Sequence, residues 1–90
     1  MFHLLIATPE TVAYDDKVYS LIIPGTLGYM EILTHHASII TPLQSGKVTL
    51  VTKNQEKLVY SISGGIFEFS HNRATLLPDT ISMYSSLFCN

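Results

Sequence analysis

Residues 47–63 read KVTLVTKNQEKLVYSIS. Lys47 to Lys53 alternates between polar and β-branched or apolar residues. Lys57 to Ser63 alternates again, with Leu58, Tyr60 and Ile62 on one face. Asn54-Gln55-Glu56 turns the chain between them, so the stretch reads as a β-hairpin. The same two-residue period extends in both directions. Upstream, Phe2, Leu4 and Ile6 point one way and His3, Leu5 and Ala7 the other, until Pro9-Glu10 punctuates the run. Val18 to Ile23 is rich in strand formers and is expected to stop at Pro24-Gly25, where Pro presets φ and Gly supplies a positive one. Downstream, Gly64-Gly65 marks a bend or bulge, and Ile66 to Ser70 places Phe67 and Phe69 on one face. His71-Asn72 is a tight turn, Arg73 to Leu77 returns, and Pro78-Asp79 ends the strand.

No segment sustains a helical period. Leu33 to Leu43 places apolar residues at Leu33, Ala37 and Ile40, but Thr34, Ser38, Thr41 and the Ile39-Ile40 pair weaken a helix, so the segment reads as strand or turn. Short strands separated by regular turn signals predict an all-β sandwich or flattened barrel. Ser82 to Asn90 has no partner strand in the pattern and is expected to fray.

Ninety residues make one domain, which buries roughly 60–70% of its unfolded surface and leaves little room for an enclosed site. Apolar residues make up 47% and charged residues 13%, the latter about half the usual share of roughly 25%. β-Branched strands alone inflate such a count, but the surplus also suits apolar surface held for a partner. The net charge is −2, and the five Lys and Arg residues are scattered, with only Lys47, Lys53 and Lys57 close together. That excludes a phosphate-neutralising footprint and nucleic acid as a partner. A single cysteine, Cys89, allows no internal disulfide and fits a reducing compartment. The N-terminus lacks the basic and apolar regions of a secretory signal, and no apolar run approaches the roughly 20 residues that span a bilayer. Membrane association is therefore expected only through a protein partner.

The enzyme readings fail one by one. His35 and His36 are adjacent and diverge in an extended chain, while His3 and His71 are distant, so the three or four ligands of a zinc site are not assembled. One of the adjacent pair is expected to pack or cap a turn, and the other to be solvated. There is no G-x-S-x-G elbow. Asp15-Asp16 diverge as well and read as a solvated turn after Tyr14, not as convergent catalytic carboxylates. Pro24-Gly25-Thr26-Leu27-Gly28 lacks the Lys-Ser/Thr of a phosphate loop. No catalytic residue, cofactor or metal is expected.

The order of the remaining pieces is more informative than any one of them. Pro24-Gly25-Thr26-Leu27-Gly28 is followed by Ile32-Leu33, His36-Ala37, Thr41-Pro42-Leu43 and Gly46. Then come Ser63-Gly64-Gly65-Ile66-Phe67-Glu68, Asn72 and Thr75-Leu76-Leu77-Pro78-Asp79, while Thr8-Pro9-Glu10, Tyr14 and Val18-Tyr19-Ser20 lie upstream. This succession resembles the N-terminal β-sandwich of the epsilon subunit of F-type ATP synthase, which mitochondrial naming calls delta, over about residues 3–82. The resemblance implies a sandwich of about ten strands over residues 1–82, followed by a short tail over 83–90. It implies a non-catalytic rotor subunit of the central stalk, docked between the gamma subunit and the membrane c-subunit ring and coupling ion flow to ATP synthesis. The location implied is the cytoplasmic, stromal or matrix face of the energy-coupling membrane. It places Thr26, Leu27, Gly28, Tyr29 and Met30 towards the ring, with Glu31 as a candidate charged contact to basic ring loops. It places Thr8, His36 and Thr41 beside gamma.

The chain departs from that family's pattern at Glu31, where Gly is usual, at Thr34-His35, where Pro-Gly is usual, and at Ser38, where Pro is usual. Such changes are expected to alter the loop path or to cost strain. Most family members continue as a helical hairpin that can brake ATP hydrolysis. The sequence here is expected to couple and assemble without one. Two rival readings are a free-standing β-sandwich adaptor that binds through a strand edge, and a small hydrolase or metal-dependent barrel using His35, His36 or His71.

Overall fold

A computed structural model describes residues 1–88 of the chain, with side chains to Tyr84. The 47–63 stretch folds as expected into β5 (Gly46–Thr52) and β6 (Glu56–Ile62), paired antiparallel with Leu50 opposite Leu58. Thr52 organises the turn. Its Oγ1 accepts from the Asn54 and Glu56 N–H groups, and its carbonyl accepts from Gln55 N–H at 2.9 Å. The other strands are β1 (Phe2–Ala7), β2 (Val12–Gly25), β3 (Gly28–Ile32), β4 (Ile39–Leu43), β7 (Gly65–Ser70), β8 (Arg73–Pro78) and β9 (Ile81–Phe88). Nine strands are thus present among the described residues, against the ten implied by resemblance, and none of those residues is helical.

The strand order is β1-β8-β7-β4-β2-β5-β6-β9, with β3 on β2 and an additional β1–β2 pairing that closes the first layer on itself. Strand β2 runs for 14 residues and serves both layers of the sandwich: its first half pairs with β1, its second with β5 and β3. A register shift between Val18 and Ser20 makes this possible. It moves the buried phase from Val18 to Leu21 and Ile23 and leaves Tyr19 outside. Between the layers lie Phe2, Leu4, Ile6, Leu21, Leu50 and Phe67, all essentially without solvent contact. Burial of each such side chain stabilises the fold by about 1.5–3 kcal/mol.

Three expectations need correction. Pro24-Gly25 does not stop its strand: both residues belong to β2, and the chain reverses at Thr26-Leu27. Gly25 pairs with Gly28, neither turn residue has a positive φ, and Gly28 completes the reversal at φ 131°. Asp15-Asp16 is not a turn. The two lie within β2 opposite Leu5 and Leu4, and because successive strand residues face opposite ways their carboxylates part. Asp15 meets His3 Nε2, whereas Asp16 accepts from Lys17 N–H at 2.7 Å and pairs with Lys53 at 3.1 Å. Finally, the segment expected to fray does have a partner: Ile81 to Phe88 pairs antiparallel with β6. Its alternation is hidden by Ser82 and by the paired serines at 85–86. Cys89-Asn90 lies outside the described residues.

The end of the sandwich near Tyr14 couples charge to burial. Partial burial, together with the nearby Asp16 carboxylate, pushes the Tyr14 phenol up to about 12 from 10.0. Its O–H donates to the Lys17 carbonyl at 3.0 Å. The folded state therefore holds this proton more tightly than the unfolded chain, and stability falls as pH rises from about 10 towards 12. Tyr14→Phe is expected to flatten the alkaline limb of a melting-temperature profile over that window.

Candidate docking surface

Strands β4, β7, β8 and β1 each send one face into the core, and the register decides what the other face collects. Pro42 lies opposite Ile66, and Ile66 opposite Leu77. The parallel β1–β8 register, with Ile6 beside Leu76, brings Ala7 alongside Leu77, and Ala7 pairs with Val12. The outcome is an apolar band across β4, β7, β8, β1 and the start of β2, about 19 Å long at roughly 4.8 Å per strand spacing. Val12 is 59% exposed, and Ile40, two residues along β4 from Pro42, is 67% exposed. Ala7, Pro42, Ile66 and Leu77 each neighbour a buried residue: Ile6, Leu43, Phe67 and Leu76. A contiguous apolar stripe on the solvent side of a sheet makes this face a candidate docking surface.

The residues expected beside gamma divide between this band and its surroundings. Thr8 follows Ala7 at one end, in a turn closed by reciprocal Thr8–Thr11 backbone hydrogen bonds of 2.8 and 3.3 Å. Thr41 precedes Pro42 at the other end, with its side chain on the opposite face of β4. His36 packs its ring edge-on against Phe69, centroids 5.9 Å apart, and its Nδ1 contacts the Ala37 carbonyl at 2.7 Å. Its N–H donates to the Leu33 carbonyl at 3.0 Å, so it packs and caps a turn, as expected of one of the adjacent pair. Sequence reasoning missed Val12, Ile40, Pro42, Ile66 and Leu77. The available signal was an apolar residue on the polar phase of an alternating strand.

The residues expected towards the ring form a second feature. Thr26, Leu27, Gly28, Tyr29 and Met30 line a hollow of about 280 Å³ closed on its other side by Ile39 and Thr41. Thr41 therefore belongs geometrically with this set. Leu27, at the tip, is fully exposed, and Glu31 is exposed on β3 opposite Ile22. Tyr29 differs from the expectation of an outward contact in one respect, since its hydroxyl turns back to accept the Lys47 N–H at 3.2 Å.

Between the two features lies the Thr34-His35 turn. His35 holds a left-handed φ of 63°, and its N–H donates to Asn72 Oδ1 at 2.8 Å. Asn72 Nδ2 in turn donates to the Met1 carbonyl at 3.1 Å. The turn thus pays for its path in strain. His35→Gly is expected to raise stability by about 0.5–1 kcal/mol, the left-handed penalty of roughly 1–2 kcal/mol less the added entropy of the unfolded glycine. A urea titration checks it.

Among the described residues, no three His, Cys, Asp or Glu side chains gather as a metal site requires.

Residues 1–83 match the family described as "ATP synthase, Delta/Epsilon chain, beta-sandwich domain". The ATP synthase epsilon chain of Protochlamydia amoebophila is 43% identical over 81 residues, which is 90% of this chain and 55% of that protein. The epsilon chain of Chlorobaculum tepidum is 37% identical over 81 residues, 90% of this chain and 92% of its own length. The chain thus spans about half of the first relative and nearly all of the second. A chain in a structure of the Euglena gracilis mitochondrial ATP synthase, comprising OSCP, F1 and c-ring, has the same fold, with a TM-score of 0.83 at 18% identity. That match covers 89% of this chain and 51% of the Euglena chain. This chain therefore belongs to the β-sandwich domain family of ATP synthase delta and epsilon chains.

Proposed function

We propose that this chain is the sandwich part of an epsilon-type rotor subunit, which performs no reaction and couples by docking. Its apolar band, with Thr8 at one end and His36 on the loop before β4, seats against the gamma subunit, while Thr41 faces the hollow beside the hairpin. Its β2–β3 hairpin, Thr26 to Glu31, meets the membrane c ring. The protein then reaches the energy-coupling membrane only through these partners, on the face where ATP is made, and needs no cofactor. The band between Thr8 and Pro42 is the observation that carries this reading. It gives a sheet with a single core a second apolar surface. The family relationship and the c-ring-containing assembly of the Euglena neighbour support it.

Co-purification with the complex separates the two surfaces. Leu77→Asp sets a charge in the middle of the band and is expected to cut gamma retention at least tenfold, since one buried unpaired charge costs upwards of about 2 kcal/mol. Glu31→Ala leaves gamma retention unchanged and makes ring assembly less sensitive to salt. Unchanged gamma retention in Leu77→Asp sinks the proposal and favours an adaptor that binds through the open edge of β9.

A further inference from the structure

The hairpin proposed for the ring and the C-terminal strand meet at one residue, Lys47. The β2–β5 ladder explains how. Leu21 lies opposite Leu50 and Ile22 opposite Thr49, so the same register carries Pro24 to the place opposite Lys47. There the ladder fails. Proline has no N–H to give, and the Pro24 carbonyl is taken by Gln44 N–H at 2.9 Å. The Lys47 N–H would have no partner on β2. The Tyr29 hydroxyl, reaching across from β3, accepts it instead. Gly46 makes room for this, since a Cβ there would stand 2.8 Å from both the Tyr29 hydroxyl and Pro24 Cβ. The side chain of the same lysine runs the other way, and its ammonium lies over the Tyr84 ring of β9, 4.4 Å from the centroid.

We infer that Lys47 is a positioning residue that joins the β2–β3 hairpin to the terminal strand β9, through Tyr29 on its backbone side and Tyr84 on its ammonium side. The hairpin's orientation is then set in part by how β9 lies on β6. A disturbance at β9 reaches the hairpin without passing through the core. The join rests on the rotor reading only for its consequence in ring assembly.

Amide hydrogen exchange of the 90-residue chain tests it directly, because the Lys47 amide is the proton that Tyr29 holds. Tyr84→Leu is expected to speed exchange at Lys47 about two- to fivefold, the range set by an exposed cation–π contact. Tyr84→Phe, which keeps the aromatic face, leaves it as it was. In a Tyr29→Phe background the Lys47 amide is already unprotected, and Tyr84→Leu then has no further effect there. Exchange changes confined to β9 in Tyr84→Leu overturn the inference, as does a Phe variant that behaves like Leu. The substituted tyrosines are both exposed, and matching far-ultraviolet spectra confirm that each variant is folded. If exchange responds as described while ring assembly of Lys47→Met is normal, the join stands and the ring reading fails.

Discussion

Gly65→Ala is expected to lower stability by about 4 kcal/mol. At φ 138°, Gly65 occupies backbone space that alanine adopts only under strain, costing roughly 1–3 kcal/mol. The added Cβ would also stand 2.6 Å from Pro78 Cα and closer still to the Leu77 carbonyl oxygen, both of them backbone atoms of the paired strand. Neither can swing away, so overpacking adds roughly 1–3 kcal/mol. A domain of this size has about 5–13 kcal/mol in total. The substitution therefore consumes a large part of it, and the melting temperature drops by about 16–32 °C. Gly28→Ala is the control. Gly28 also has a positive φ, but a Cβ there meets nothing within 4 Å, so only the strain part remains. Urea midpoints of the two variants separate clash from strain, and equal losses would mean the β7–β8 contact is softer than its geometry.

Phe69→Ala is expected to cost about 3–5 kcal/mol, the range for emptying a buried aromatic site. Phe69 is 1% exposed and meets Phe2 edge to face, with centroids 5.4 Å apart. Its other edge holds the His36 ring. The variant therefore loses both a core contact and the support of the loop proposed for gamma. Phe69→Leu retains most of the volume and loses less. Calorimetry gives the stability difference. Gamma retention, measured well below both melting temperatures, shows whether His36 is held by the ring at 69 or by its own backbone.

Local alternation made most of this fold legible. The hairpin over 47–63 and the β7–β8 hairpin with its His71-Asn72 turn, both residues left-handed at φ 52° and 59°, lie where the pattern puts them. The pattern misled where a residue's usual role was overridden by its neighbours. Pro24 reads as a stop, but it sits where its missing N–H is tolerated, next to a lysine amide served by Tyr29. Asp15-Asp16 reads as a turn because acids favour solvent, but His3 on β1 and Lys53 in the turn after β5 supply partners. β9 was missed because serines carry no period. For the surface, the hairpin at 26–31 was visible as a turn, whereas the apolar band was not. The band exists only once five strands come into register, and single-strand periodicity cannot assign Val12 and Pro42 to one stripe.

Strand β1 is made before the other described strands and is among the last of them to be completed. It pairs with β2 within the first twenty residues, but its other edge runs parallel to β8, with His3 beside Arg73 and Leu76 beside Ile6. On a ribosome adding about 5–20 residues per second, the partner edge is absent for about 3–15 s after β1 appears. Throughout that interval Phe2, Leu4 and Ile6 lie on a strand with one bare edge, the form that holding chaperones bind and that neighbouring nascent chains can pair with. Yield during synthesis, more than stability once folded, is the property this parallel pairing exposes to codon choice and translation speed.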